Sequence, residues 1–382
     1  MTLQHDPELQ RIVDRVRAAQ ADAAPLSIAG HGSKAFYGAS LDAPAADALN
    51  LTALAGISSY EPTELVVTVR AGTPLAELEA ALAEKGQCLP FEPPRFVGAA
   101  GGRGTVGGMV AAGLSGPARA SVGAVRDYVL GATLLNGRAE VLSFGGQVMK
   151  NVAGYDVARL LAGSMGVLGV ICEVSLKVLP TAPAEATLRF EMDEAAALAQ
   201  LNAWGGQPLP INASAWWAGT LLVRLRGARA AVDSAVRRLG GEPIDDAMAK
   251  PFWDGLRDQR DEFFVRAHRA IEHGHGEGAA PSSGGTLWRV SVAPTAPVMP
   301  LPGEQLVEWG GAQRWWVTSA PASVVREMAR ERGGHATRWY GADAQSPAFT
   351  PLAEPLARIH RALKQAFDPA GIFNPGRLVP GL

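Results

Sequence analysis

A chain of 382 residues in which apolar side chains make up 47% has enough core-forming material for two domains, or for one large domain with a cap. Its formal charge of −2, without any run of Lys or Arg, argues against nucleic acid as a partner. No apolar stretch approaches the ~20 residues that cross a bilayer, so no direct membrane span is expected and a cytoplasmic location is the default.

The first twenty residues are charged and patterned as an amphipathic helix, with no apolar signal-peptide core. Residues 25–29 read as a short strand entering a glycine turn, Gly30-His31-Gly32-Ser33-Lys34. Another strand is expected near residues 51–54. The β-branched run 65–69 predicts a buried strand. Thr73 and Pro74 open a helix, with Thr73 as N-cap and a stripe of Leu75, Leu78 and Leu82. Residues 129–135 and 139–144, joined through Asn136-Gly137, read as a hairpin with a type I′ turn. A short helix follows over 156–163, then paired strands over 167–178. Beyond the linker 181–184 the composition shifts. Trp204, Trp216, Trp217, Trp253, Trp288, Trp309, Trp315, Trp316 and Trp339 all fall there, among strands 221–225 and 287–292 and a helix over 228–239. Cap core is the plainer expectation for most of these rings; stacking on a cofactor or on a partner is the other. Residues 273–285 read as a mobile Gly/Ser/Pro loop. The chain ends in an amphipathic helix over 353–367 and a run of turn residues.

Cys88 and Cys172 lie in no CxxC or Cys/His cluster and read as reduced, buried thiols. Two cysteines are too few for a four-cysteine iron–sulfur cluster, so any such cluster belongs to another chain.

The densest signal is the glycine-rich run 98–180, whose glycines sit at the ends of short apolar segments. Backbone without Cβ bends sharply and approaches a ligand closely, which suits a large flat or phosphorylated cofactor. Gly102-Arg103-Gly104-Thr105-Val106-Gly107 fits the G-x-G-x-x-G dinucleotide fingerprint, but that motif needs a strand just before it. Pro90, Pro93 and Pro94 precede it instead, which argues against a central parallel strand.

Four blocks in order carry a resemblance: Gly30 to Lys34; Gly104-Thr105-Val106-Gly107-Gly108 with Gly113-Leu114-Ser115-Gly116; Gly166-Val167-Leu168-Gly169-Val170-Ile171; and Phe367 to Arg377, reading FDPAGIFNPGR. Together they resemble flavoproteins with a p-cresol methylhydroxylase-type (vanillyl-alcohol oxidase-type) FAD domain. Lys150-Asn151-Val152-Ala153-Gly154-Tyr155-Asp156, Leu287-Trp288-Arg289-Val290-Ser291 and the tail through Leu378 are similar to the smaller FAD-binding subunits of bacterial glycolate oxidases. The resemblance implies an α+β fold: a two-subdomain FAD-binding domain over 1–180 (about 1–90 and 91–180), an α+β cap over 181–350, and a segment 351–382 returning to the FAD domain. It implies noncovalent FAD, a complex with a larger FAD-binding subunit and an iron–sulfur subunit, and oxidation of glycolate, a 2-hydroxy acid, with electrons passed towards quinone. A stand-alone dehydrogenase for a lactate-type acid, and a flavin-binding scaffold without its own turnover, are the alternatives.

The implied FAD contacts are Ala29, Gly30, His31, Gly32, Ser33, Lys34, Pro90, Gly104, Thr105, Val106, Gly107, Gly108, Gly113, Ser115, Gly116, Gly123, Val129, Gly166, Gly169, Val170, Ile171 and Asn374. Successive N–H groups in the first turn make an anion site, with Lys34 adding charge. His31 reads as a loop residue, not a covalent flavin anchor. Gly107→Asp is expected to push a carboxylate into the cofactor's path. Oxidising a 2-hydroxy acid also needs a cation for the carboxylate and a base for the hydroxyl proton. Arg289, Arg314, Arg338 and Arg377 are candidates for the first, and His335, His360 and Tyr340 for the second; no spacing selects among them. The Gly-Asp-Gly-Asn-x-His metal stretch of related 2-hydroxy-acid dehydrogenases is missing. His273 and His275 read as loop histidines, and no metal is expected.

Overall fold

The computed structural model describes residues 3–39, 47–99, 101–146, 155–273, 285–341 and 346–382. The chain divides into two compact units. The first comprises Met1–Leu114, Ala124–Thr181 and Pro351–Leu382; the second comprises Ser115–Gly123 and Ala182–Thr350.

The first unit holds strands β1 (Leu26–Ala29), β2 (Asp47–Asn50), β3 (Ile57–Glu61), β4 (Val66–Arg70), β5 (Gln87–Cys88), β6 (Val129–Leu135), β7 (Val141–Gly145), β8 (Val170–Lys177) and β9 (Leu179–Pro180). An antiparallel five-stranded sheet runs β3-β4-β8-β6-β7, and β1 pairs with β2 in parallel. The β-branched run of β8 is buried on both faces. Val174 and Leu176 enter one core with Val67, Leu75 and Leu78. Val170 and Cys172 enter another with Ile12, Val16 and Phe373. A shift of register against β6 between Thr133 and Leu134 redirects the strand from one core to the other. Burial pushes the Cys172 thiol up to about 12, so it is an inert core group. Each fully buried Leu or Val contributes about 1.5–3 kcal/mol, and Leu78→Ala would cost about 2–5 kcal/mol.

The expected N-terminal helix runs over Pro7–Asp22 and starts six residues later than the reading gave, because Asp6 accepts from Glu8 N at 2.8 Å and Pro7 tolerates the first turn. Asp6 also pairs with Arg70 at 2.5 Å, fixing that helix to the end of β4. Three expectations are corrected. Residues 51–54 form a turn, closed by Leu54 N to Leu51 O, and the strand lies just earlier at β2, whose mostly exposed side chains gave no apolar alternation. Helix Leu75–Ala83 is preceded by Pro74 at the cap; the Thr73 hydroxyl donates to Arg70 O and accepts from Gly56 N instead. The β6–β7 connection is longer than a two-residue turn, since Leu135 pairs with Val141. Asn136 accepts from the N–H groups of Arg138 and Glu140, and Ala139 takes the positive φ of +57°.

Helix Glu354–Phe367 returns the chain to this unit. Buried Lys364 donates to Val167 O, Phe373 O and Asp368 at 2.7–2.9 Å, while Asp368 accepts from Ile372 N and Phe373 N. Burial lowers the Lys364 pKa and the Asp368 carboxylate opposes that shift.

The second unit is built on β10 (Ala184–Glu191), β11 (Ile211–Trp217), β12 (Thr220–Gly227), β13 (Glu242–Ile244), β14 (Thr286–Ser291), β15 (Glu304–Glu308), β16 (Gln313–Thr318) and β17 (His335–Gly341). They form one antiparallel sheet in the order β13-β10-β12-β11-β15-β16-β14-β17. Trp288 and Trp316 face each other across β14 and β16 and are fully buried with Val325 and Ala329 of helix Ala322–Glu331. For these rings the core reading is the right one. The excursion Ser115–Gly123 packs within this unit: Trp309 Nε1 donates to Gly116 O at 3.1 Å, and the Arg119 guanidinium lies 4.5 Å from the Trp309 ring.

Candidate functional site

In the first unit β1 runs into the turn Gly30 to Lys34. Gly32 adopts φ +66° and Gly104 adopts φ +98°, a region L side chains disfavour. The two glycine segments interlock. A Cβ on Gly30 would lie 2.4 Å from Thr105 Oγ1, and one on Gly98 would lie 2.3 Å from His31 O. His31 Nδ1 is 3.0 Å from Gly104 O, so its ring is engaged with backbone, as expected of a loop residue. The N–H groups of Gly30, His31, Gly32 and Ser33 reach no acceptor among the described residues. Backbone donors turned together without acceptors form a concave anion receptor. The Ser33 hydroxyl and the Lys34 ammonium approach the same place, 3.2 and 3.4 Å from where a Gly104 Cβ would sit.

This turn borders a cleft of about 250 Å³ lined by Ala29, Gly30, His31, Gly32, Ser33, Lys34, Gly104, Thr105, Gly108, Asn374 and Arg377. A smaller lobe of about 70 Å³ continues it past Gly107, Gly166, Gly169 and Ile171. Sequence reasoning missed Ser27, Ile28, Ala111, Ala112 and Met165, which share the lining. Ala111 and Ala112 lie one helical turn beyond Gly107 and Gly108, so helical spacing carried a signal for them. Ile28 and Met165 had none.

The other expected contacts are not among these lining residues. Pro90, Val106, Val129 and Val170 are buried, the valines in core positions of helix Val106–Ala112, β6 and β8. Gly113 ends that helix at φ +65° against Gly163. Ser115, Gly116 and Gly123 belong to the second unit. At Gly107 a Cβ would meet Ala71 Cβ at 2.6 Å, and both residues line the smaller lobe, so Gly107→Asp would collide with packing at the wall of the cleft.

Asn374 joins the blocks. Its Oδ1 accepts from Ile28 N and its Nδ2 donates to Met165 O, both at 2.8 Å, with its backbone at φ +41°. Arg377 donates to the carbonyls of Lys34, Ala35 and Ala39, tying the tail to the turn.

The remaining candidates divide between the two units, and within the second Arg289 and His335 lie close enough for their charges to interact. His360 lies on helix Glu354–Phe367 in the first unit. In the second unit Arg314 is fully buried and spends its guanidinium on the carbonyls of Ala296, Pro297 and Gly311. Tyr340 donates to Glu272 at 3.2 Å; His335 is exposed at the start of β17; Arg338 follows on the same strand. Arg289 differs from these. Its Nε donates to Gln313 Oε1 at 2.6 Å, and its guanidinium lies 5.2–5.9 Å from the rings of Trp309, Trp315 and Trp339. Gln313 Nε2 in turn donates to Glu308 Oε2 at 2.9 Å, which also accepts from Trp315 Nε1 at 2.6 Å. Burial pushes the Glu308 carboxyl up to about 7 against these hydrogen bonds. Among the described residues no three His, Cys, Asp or Glu side chains gather in a metal-binding group. The stretch Lys150 to Gly154, and Gly274 and His275 of the glycine-rich loop, lie outside the described residues.

Residues 8–145 match the FAD binding domain family. Across the whole length, the chain is 45% identical over 369 residues to "Glycolate oxidase subunit GlcE" of Escherichia coli (strain K12), covering 97% of both proteins. The chain belongs to the GlcE family. Other relatives of the GlcE-type chain match over a smaller part. "D-lactate dehydrogenase" of Anaerostipes hadrus is 33% identical over 35% of this chain and 26% of its own length. Among solved structures, alkyldihydroxyacetonephosphate synthase superposes with a TM-score of 0.63 at 14% identity, over 97% of this chain and 76% of that one, which shows a shared fold. The cofactor of this GlcE-family chain is FAD, and the cleft suits it. Free backbone donors beside Lys34 fit a pyrophosphate, and glycines whose Cβ would collide admit close backbone approach. No helix among the described residues is long and apolar enough to cross a membrane.

Proposed function

We propose that this chain is the smaller FAD-carrying subunit of a glycolate oxidase assembly. In that assembly glycolate is oxidised to glyoxylate, and the electrons pass through flavin to iron–sulfur clusters on one partner and on to quinone, beside a larger FAD-binding subunit. The observation that carries the reading is end-to-end similarity to a glycolate oxidase subunit, joined to a cleft whose donors suit a dinucleotide. Bound FAD would supply the two-electron acceptor for oxidation at carbon.

The chain's own part starts with holding the cofactor. The N–H groups of Gly30 to Ser33 and the Lys34 ammonium would hold the pyrophosphate. Gly104 and Gly108 would let it lie close to backbone, and Asn374 would keep β1, the 165 turn and the tail in register around it.

The test is spectroscopic. The chain is purified anaerobically, alone and with its partners, and glycolate is added to the oxidised flavin. Bleaching of the isolated chain is expected if it carries its own substrate site. Bleaching only in the assembly would assign it an electron-relay role. Failure of the assembly to respond to glycolate, with rapid bleaching by lactate, would overturn the glycolate reading.

A further inference from the structure

The second unit contains a half-buried cation that no structural task consumes. Arg289 uses only its Nε, on Gln313; its two Nη groups reach no acceptor among the described residues. Arg314, on the neighbouring strand, shows the contrast, with every branch of its guanidinium on a backbone carbonyl.

Three indole rings surround Arg289, and Arg119 lies over the same Trp309. Apolar walls exclude water and strengthen a charged hydrogen bond. A guanidinium with its Nε anchored presents the remaining N–H groups as a planar fork, which matches a carboxylate. The anchor is itself held. Glu308 accepts from Gln313 Nε2, which fixes the amide so that Oε1 faces Arg289. The buried carboxyl of Glu308, behind Gln313, disfavours a multiply charged phosphate.

The geometry points to a receptor for a small monocarboxylate at Arg289, with Gln313 and Glu308 as positioning residues. This rests on the glycolate reading for its substrate class, a 2-hydroxy monocarboxylate. Arg289, Gln313 and Glu308 come from β14, β16 and β15, and the rings around Arg289 from β16, β17 and the turn at Trp309, all within the second unit.

The experiment uses the full FAD-loaded chain and 2-hydroxy-2-methylpropanoate. This probe keeps the 2-hydroxy carboxylate but has no hydrogen on the reacting carbon, so it is not turned over. Binding is followed by tryptophan fluorescence and calorimetry, against the uncharged amide of the same acid. Saturable binding with preference for the acid is expected. Arg289→Gln should weaken the acid by at least about tenfold and abolish that preference. Gln313→Met should weaken it about threefold to tenfold with FAD content unchanged, and Arg330→Gln, an exposed control, should leave it as it was. Folding of each variant is checked by circular dichroism and flavin content. Should Arg289→Gln misfold, Arg289→Lys keeps the charge without the fork and should still lose most of the acid preference. Unchanged binding in folded Arg289 variants, or no binding to the wild-type chain while the assembly oxidises glycolate, overturns the receptor and leaves the glycolate reading standing. Acid binding that depends on Arg289, in a chain whose assembly ignores glycolate, supports the receptor and overturns that reading.

Discussion

Replacing Asn374 with Ala tests how the cleft is held together. The side chain closes two hydrogen bonds of 2.8 Å, from Ile28 N and to Met165 O, and Asn374 itself is 7% exposed. Leaving a buried backbone group without its partner costs about 1–3 kcal/mol, in full for Met165 O and in part for Ile28 N at the cleft wall, so the two cost about 2–4 kcal/mol. The backbone at φ +41° adds about 1 kcal/mol, because Ala tolerates that region less well than Asn. A loss of about 4 kcal/mol in a chain of this length lowers Tm by about 5 °C. The same change unhooks β1 from the tail beside the cofactor turn, so FAD should leave more readily. Thermal melting, with the ratio of flavin to protein absorbance after gel filtration, reads both effects. Asn374→Asp should be worse for FAD than Ala, since a carboxylate would face Met165 O and the cleft. A variant Asn374→Ala that melts within 1 °C of wild type and keeps its flavin would refute the account of Asn374 as the tie.

Gly104→Ala should reduce FAD occupancy at least about tenfold with folding retained, because φ +98° and a Cβ 3.2 Å from Ser33 Oγ disturb the donor turn; the visible spectrum of the purified chain checks this. Lys364→Met should lower stability by about 3–5 kcal/mol, since it strands the buried Asp368 carboxylate; the denaturant midpoint measures it, and adding Asp368→Asn should restore part of the loss. Glu308 sets a pH dependence. Its carboxyl is raised from an ordinary 4.5 to about 7, so the folded chain holds that proton more tightly than the unfolded one. The resulting stabilisation is complete below pH 4.5 and is lost as pH rises to about 7, a change of about 3 kcal/mol. Glu308→Gln should therefore stabilise the chain at pH 8 relative to wild type and have little effect near pH 4.5; equal melting shifts at both values would refute it.

The cofactor turn was legible because its demands are local. Positive φ at Gly32 and Gly104 must be written as glycine, and Asn374 suits the left-handed backbone it occupies. Elsewhere long-range contact overrode a local signal. Asn136-Gly137 reads as a tight turn, yet a Cβ on Gly137 would lie 2.5 Å from Asp368 Oδ1, and Gly137 N donates to Phe367 O. That glycine admits the returning tail. Gly107 likewise admits close packing of its helix on Ala71, at the wall of the smaller lobe. The Arg289–Gln313–Glu308 relay was illegible as a unit, since neighbouring strands bring its members together and no spacing rule encodes cross-strand pairing.

The excursion Ser115–Gly123 has a consequence for modular exchange. The chain passes between units at Leu114–Ser115, Gly123–Ala124, Thr181–Ala182 and Thr350–Pro351. The second unit is therefore not a cassette that can be lifted out at two cut points. A hybrid that replaced only residues 182–350 with a relative's sequence would keep the native Gly116 and Arg119 but present them with a foreign residue in place of Trp309. Recombination within the family would have to carry both pieces together or keep position 309 an indole.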